Sequence, residues 1–251
     1  MNIAIVTGAS SGMGKEMVHQ LADRFAGLNE IWVIARRKDR LDDLKMSTPV
    51  PVRRFVLDLS SEHAFTVIEN ALKEMNPKVR ILVNAAGYGV TGPSDTIDRK
   101  REIGMIRLND EALVRMTELV LPYMVKKSRI IQFASAAAFL PQPGFAVYAA
   151  SKAFVLSYSR ALNRELKKRS IYVTAVCPGP VSTEFFDLAL NGNKLTSYKK
   201  WVMIRPETAV RYAILDSVLG KEVCVPGIRM KIFEILCKVL PHRFLMNFIS
   251  W

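Results

Sequence analysis

A chain of 251 residues, 50% of them hydrophobic and 24% charged, has ordinary globular composition and enough length to bury a sizeable core. Its 36 Lys and Arg against 23 Asp and Glu give a net charge of +13, but the basic residues fall in short scattered groups such as Arg36-Arg37-Lys38, Arg99-Lys100-Arg101 and Lys167-Lys168-Arg169, without a nucleic-acid-binding signature. No apolar run is long enough to span a bilayer, residues 1–6 lack the flanks of an export signal, and Cys177, Cys224 and Cys237 are too scattered for a disulfide framework or a zinc site; a cytoplasmic protein with no metal and no nucleic-acid partner is expected.

Short β-branched runs alternate with stretches of helical period, as when crossover helices join parallel strands. The pattern predicts strands near 2–6, 31–35, 53–56, 79–83, 129–134, 171–176 and 222–225. Helices are predicted near 13–26, 39–45, 61–75, 102–127, 149–169 and 206–219. Ile31-Trp32-Val33-Ile34-Ala35 and Ile81-Leu82-Val83 are apolar at consecutive positions, so the sheet is expected to be covered on both faces. Together these define one α/β domain over residues 1–251, a doubly wound parallel sheet of about seven strands. Residues 183–203 break the rhythm and read as a substrate lid or as a second packed layer. Residues 229–251 form an amphipathic, basic C-terminal extension.

Directly after the first strand stands Thr7-Gly8-Ala9-Ser10-Ser11-Gly12-Met13-Gly14, and a helical pattern follows. A glycine-rich turn there lets backbone N–H groups and a helix N-terminus approach a pyrophosphate. The spacing is neither G-x-G-x-x-G nor a P-loop. The sequence resembles the short-chain dehydrogenase/reductase family, whose glycine motif is T-G-x-x-x-G-x-G. The resemblance continues through Asp58-Leu59, Asn84-Ala85-Ala86-Gly87, Ser135, Tyr148-Ala149-Ala150-Ser151-Lys152 and Pro178-Gly179, each just past an expected strand. It implies a Rossmann-like fold, a nicotinamide dinucleotide cofactor and interconversion of a ketone with a secondary alcohol.

The second strand ends Ala35-Arg36-Arg37, where the family reads the adenosine ribose. A carboxylate there repels a 2′-phosphate, whereas a guanidinium binds it through charge-assisted hydrogen bonds, so NADP(H) is expected over NAD(H). The resemblance implies that Gly8, Ser10, Ser11, Gly12, Met13 and Gly14 cradle the pyrophosphate and that Asp58, Leu59, Asn84, Ala85 and Gly87 border the adenosine half. Asn84 reads equally well as a structural turn residue. Pro178, Gly179, Val181 and Thr183 fit the family's P-G-x-x-x-T pattern, with Val181 and Thr183 toward the carboxamide and pyrophosphate; Pro178-Gly179 also suits a plain strand-ending turn.

Reducing a carbonyl requires a hydride donor on one side and an acid for the developing alkoxide on the other. A tyrosine, with an ordinary pKa of about 10, serves if a cation favours its phenolate. Tyr148 and Lys152 are four residues apart and share one helical face, so the ammonium is expected to lower the phenol's pKa. The resemblance implies that Lys152 also meets the nicotinamide ribose, that Ser135 orients the carbonyl, and that Asn109 bends a helix and holds a water behind Lys152. A substrate site of Ala136, Ala137, Phe139, Gln142, Phe145, Phe185 and Phe186 is mostly apolar and suits a steroid-like or long acyl ketone.

Two other readings stand beside this one: β-ketoacyl-thioester reduction, for which a basic surface suits an anionic carrier, and a non-catalytic NADP(H)-sensing or scaffold protein. The resemblance implies a homodimer or homotetramer through the helices at 102–127 and 149–169. Packing of the C-terminal extension on the body or on a second subunit is favoured over peripheral contact with a membrane.

Overall fold

The computed structural model describes residues 1–189 and 201–247. Seven strands form one sheet: β1 (Asn2–Thr7), β2 (Glu30–Ala35), β3 (Val52–Val56), β4 (Lys78–Asn84), β5 (Met124–Phe133), β6 (Tyr172–Val176) and β7 (Val223–Cys224). All pairings are parallel, in the order β3-β2-β1-β4-β5-β6-β7. The crossover direction reverses between β1 and β4, and a crevice for ligands opens at the C-terminal ends of strands about such a switch point.

Strand residues alternate between two cores. Ala4, Val6, Val33, Val83 and Ile131 face α1 (Gly12–Arg24), α2 (Lys38–Ser47) and, after Pro206 in its first turn, the later helix at Pro206–Val218. Ile3, Ile5, Trp32, Leu82 and Val173 face the opposite way, onto α3 (Glu62–Met75) and the helices at Ala112–Val120 and Ala146–Leu166. Both faces are therefore dry, which is why these strands read as unbroken apolar runs. Each fully buried aliphatic side chain contributes roughly 1.5–3 kcal/mol.

The helix expected over 102–127 is divided. It runs as α4 (Arg99–Ile106), capped by the Asp98 side chain on the Lys100 N–H, then through a π-helical turn at Arg107–Glu111 into α5 (Ala112–Val120). A 3₁₀ turn with Pro122 ends it, and β5 begins at Met124, five residues before the predicted start. Residues 124–127, expected at the end of that helix, instead enter the sheet with an irregular register: pairing slips between Val79 and Ile81, Lys127 takes φ +66°, and the Ser128 hydroxyl donates to the Val79 carbonyl at 2.7 Å.

The long helix α6 (Ala146–Leu166) opens two residues before Tyr148. After it come α7 (Phe185–Ala189), α8 (Pro206–Val218), α9 (Ile228–Val239) and α10 (His242–Met246). Residues 190–200 of the expected lid and 248–251 of the extension lie outside the described residues. The extension packs only in part: Cys237 is buried and Met230 seats against Gly179, while Ile228, Ile232, Ile235, Leu236 and Val239 are exposed along the outer face of α9. Among the described residues no helix is long and apolar enough to cross a membrane.

Candidate active site

The turn after β1 is built for close backbone approach. The Thr7 hydroxyl accepts hydrogen bonds from the Ala85 and Ala86 N–H groups at 3.1 and 3.2 Å, tying the exit of β1 to that of β4. Gly8, at φ +68°, has no room for a side chain, since a Cβ would lie 2.7 Å from the backbone of Ala85 and Ala86. A Cβ on Gly14 would press into the Gly8 carbonyl, and Gly12, at φ +52°, lies under the Thr183 side chain. Ser11 leads into α1 without a side-chain cap, so the helix's first N–H groups remain available to an anion. Met13 instead leans on the core. These features fit a dinucleotide pyrophosphate.

At the end of β2, Arg37 donates from Nε and Nη2 to the Ser10 hydroxyl, both at 3.2 Å, and from Nη1 to Glu184 at 3.0 Å. Arg40 donates to the other Glu184 oxygen at 2.7 Å. Hydrogen bonds from Arg40 and Arg37 hold the Glu184 carboxyl below its ordinary range. Arg36 is more exposed and faces Asp58 at 3.8 Å; Asp58 also accepts from the Ser60 N–H at 2.9 Å. Leu59 is buried beneath this edge.

Asn109, Ser135, Tyr148 and Lys152 converge at the ends of β4 and β5. Asn109 is fully buried in the π-helical turn; its Oδ1 accepts from the Tyr88 N–H at 3.0 Å, and its Nδ2 donates to the Tyr88 carbonyl at 3.0 Å and to the Ser151 hydroxyl at 3.1 Å. Ser151 donates to the Tyr148 carbonyl at 2.8 Å, so the amide also anchors the first turn of α6. Gly87 is required here, because a Cβ would lie 2.8 Å from the Asn109 oxygen. Ser135 caps a 3₁₀ turn, Ala136–Phe139, with its hydroxyl accepting from the Ala137 N–H at 3.1 Å.

The Tyr148 ring stacks on Phe145 at 4.1 Å and meets Phe185 at 5.5 Å. Burial pushes its phenol up to about 12, and a hydrogen bond with the Ser135 side chain pulls the other way. Lys152 donates to the Phe133 carbonyl at 2.9 Å and sits 5.7 Å from the Tyr148 ring centre. Burial brings the ammonium down to about 8, opposed by Asp110 and then Cys177. The expected lowering of the phenol by Lys152 is therefore not what this geometry gives: the ammonium is directed at a backbone carbonyl, and desolvation under two aromatic rings dominates.

Other expected site residues separate into two groups. Ala137, Phe145 and Tyr148 share an apolar cluster with Val90, Met105 and Ala149, against which Phe185 packs; Phe186 meets Phe185 edge-on at 5.5 Å. The Gln142 Oε1 is buried with no hydrogen-bond partner among the described residues and is open to a donor. Ala136 is buried, its N–H donating to the Pro178 carbonyl at 2.8 Å. Val181 bridges to Ile204, and the Thr183 hydroxyl donates to the Val181 carbonyl at 3.4 Å.

Two side chains and one glycine make contacts elsewhere. Asn84 donates to the Thr117 hydroxyl at 3.1 Å and toward the Leu113 carbonyl at 3.4 Å, locking β4 to α5. Phe139 packs with Leu113, Val155 and Val225 in a separate core cluster. Gly179 lies under the Met230 side chain.

The sequence reading missed Tyr88, Arg40 and Asp110, and it placed Glu184 in the lid without its pairing to Arg37 and Arg40. Tyr88 both brackets Asn109 and donates its hydroxyl to the Arg101 carbonyl at 2.7 Å. Arg40 had a legible signal, since it stands three residues after Arg37, in the first turn of the helix predicted near 39–45. Asp110 is buried beside Asn109, its Oδ1 without a partner among the described residues, and burial raises its carboxyl to about 7 against the pull of Lys152.

The sequence profile of the short chain dehydrogenases matches residues 2–192. The chain belongs to this family, and it is an oxidoreductase that interconverts a ketone and an alcohol. It is 35% identical over 233 residues to sulfoacetaldehyde reductase 2 of Chromohalobacter salexigens, covering 89% of this chain and 91% of that one. It is 32% identical over 223 residues to the very-long-chain 3-oxoacyl-CoA reductase of Homo sapiens, covering 84% and 67%. A short-chain dehydrogenase from Sphingobium yanoikuyae in complex with NADPH superposes with a TM-score of 0.78 at 27% identity, covering 100% of this chain and 97% of that one.

Proposed function

We propose that the protein is an NADP(H)-dependent carbonyl reductase for hydrophobic ketones, with Tyr148 as its general acid. The observation that carries the cofactor choice is the Arg37–Ser10 contact at the end of β2, a guanidinium and a hydroxyl together at the position where a 2′-phosphate would sit. The solved relative from Sphingobium yanoikuyae, which holds NADPH, supports it. Gly8, Ser11, Gly12, Gly14 and Thr183 would border the pyrophosphate, Asp58, Leu59, Ala85 and Gly87 the adenosine, Val181 the carboxamide, and Lys152 the nicotinamide ribose.

When bound, the reduced nicotinamide supplies a hydride to the carbonyl carbon. Ser135 donates to the carbonyl oxygen as negative charge grows there. Tyr148, a neutral phenol at neutral pH, gives its proton to that oxygen, which leaves an alcohol and a phenolate. Lys152 is still largely protonated at pH 7, and its ammonium would hold the nicotinamide ribose beside the reacting groups. Asn109 acts one layer behind, fixing Tyr88 and the first turn of α6. The cluster of Val90, Met105, Ala137, Phe145 and Phe185 around the phenol favours steroid-like or acyl ketones, which lose little on desolvation. A β-ketoacyl thioester remains the second reading, supported by the relative named as a 3-oxoacyl-CoA reductase and by the net charge of +13.

We place self-association on α4 and α6, where Ile103, Ile106 and Phe154 are exposed, giving a dimer or tetramer that light scattering would detect. The outer face of α9 is a candidate for peripheral membrane contact: Arg229 on one side and Lys231 and Lys238 on the other flank its exposed apolar residues. The test of the function is cofactor consumption with hydroxysteroid-type ketones, β-ketoacyl thioesters and small polar aldehydes. NADPH-linked turnover confined to the apolar ketones or thioesters is expected, and turnover confined to small polar carbonyls or to NADH would overturn the reading.

A further inference from the structure

We propose that the Glu184 carboxylate is an internal anion seated in the 2′-phosphate subsite, that Arg40 is the second guanidinium of that subsite, and that a 2′-phosphorylated nucleotide binds by exchange with Glu184. The proposal rests on the NADP(H) reading and extends it to two residues that no motif of the sequence marks.

Four groups from three distant segments converge at this point. Arg37 precedes the first turn of α2 and Arg40 lies within that turn, so both guanidiniums reach the same side. Glu184 arrives from the far side of the groove and gives one oxygen to each, at 3.0 Å to Arg37 and 2.7 Å to Arg40. Ser10, from the glycine turn, accepts from Arg37 at 3.2 Å, which leaves its own hydroxyl proton for an anion. Two guanidiniums and a hydroxyl around one acceptor group suit a phosphate better than a carboxylate, because a phosphate brings three oxygens and a charge approaching −2.

The charges also require exchange rather than joint occupancy. With Glu184 in place the two arginines and the carboxylate sum to +1. A phosphate dianion in place of the carboxylate brings the sum to zero, whereas adding it beside Glu184 sets two anions against each other. A nucleotide without the 2′-phosphate meets no such conflict, since Glu184 can stay with its arginines. Glu184 thus weakens phosphate binding by the strength of the pairs that must break while leaving binding of the unphosphorylated nucleotide unaffected. Exposed pairs of this kind translate into about a threefold to tenfold effect.

The test is calorimetric titration of the full chain with adenosine 2′,5′-bisphosphate and adenosine 5′-monophosphate, in wild type, Glu184→Gln and Arg40→Gln. Both side chains are more than a third exposed, so the substitutions leave the fold intact, which circular dichroism verifies. Glu184→Gln is expected to tighten the bisphosphate about threefold to tenfold and to leave the monophosphate unchanged. Arg40→Gln is expected to weaken the bisphosphate alone. Equal affinities of wild type and Glu184→Gln for the bisphosphate, or equal tightening of both nucleotides, would overturn the internal anion, and an unchanged Arg40→Gln would remove Arg40 from the subsite. A wild type that binds the two nucleotides equally well would sink the NADP(H) reading; a gain for the bisphosphate in Glu184→Gln would then uphold the internal anion by itself, and no gain would sink both.

Discussion

Asp110 offers a prediction whose size follows from its surroundings. The carboxyl is buried beside Asn109, with one oxygen unpartnered among the described residues, and its pKa stands at about 7 instead of 3.8. Between those two values the folded protein keeps a proton that the unfolded chain releases, so stability contributed by this group is full below 3.8 and is lost as pH rises through 7. Each tenfold change in proton affinity is worth about 1.4 kcal/mol. Asp110→Asn keeps the shape and removes the titration. Urea denaturation of both proteins is therefore expected to show the variant gaining on wild type by about 2–3 kcal/mol between pH 5 and pH 8, with the gap level above pH 8. A gap that does not change across that range would refute the burial argument. Lys152 changes in the opposite sense: its ammonium is brought down to about 8, so the cost of burying it holds below pH 8 and is relieved as pH rises from there to 10.5.

Asn109→Ala removes the hydrogen bonds to both backbone groups of Tyr88 and to Ser151, and a loss of roughly 2–4 kcal/mol in chemical denaturation is expected; less than 1 kcal/mol would contradict the anchoring role. Gly14→Ala places a methyl against the Gly8 carbonyl and is expected to abolish dinucleotide binding, measured by fluorescence titration, at a cost in stability of at least about 1–3 kcal/mol. Arg37→Ala should raise the KM for NADPH at least about tenfold and leave that for NADH near its starting value; equal effects on both cofactors would argue against a phosphate contact. Replacing Lys231 and Lys238 by Glu should reduce flotation with vesicles containing anionic lipid, and unchanged flotation would remove α9 from consideration as a membrane face.

The sheet was legible because strands buried on both faces carry consecutive apolar residues, as Ile31-Trp32-Val33-Ile34-Ala35 does, and because the glycine turn and the Tyr148–Lys152 pair depend on local spacing. The entry of β5 was hidden: Val125-Lys126-Lys127-Ser128 has no strand alternation, and its register is set by Lys127 at φ +66° and by the Ser128 contact to β4, neither of which is local in sequence. Glu184 was hidden for a similar reason, since its partners Arg37 and Arg40 lie more than a hundred residues earlier. Asn84 and Gly179 fitted cofactor motifs, but each also has a structural contact that spacing does not show: the Asn84 amide nitrogen donates to Thr117, and Gly179 lies under the Met230 side chain. Local chemistry is readable from spacing, while contacts that depend on how helices dock are not.

The central claim is that Tyr148 moves the proton, and single-turnover reduction of an accepted ketone by Tyr148→Phe tests it most directly. The substitution keeps the ring stacked on Phe145 and removes only the hydroxyl, so NADPH affinity should stay within a few-fold while the chemical step slows by about 10²- to 10⁴-fold. An unchanged rate with full occupancy by NADPH would show that the proton comes from elsewhere.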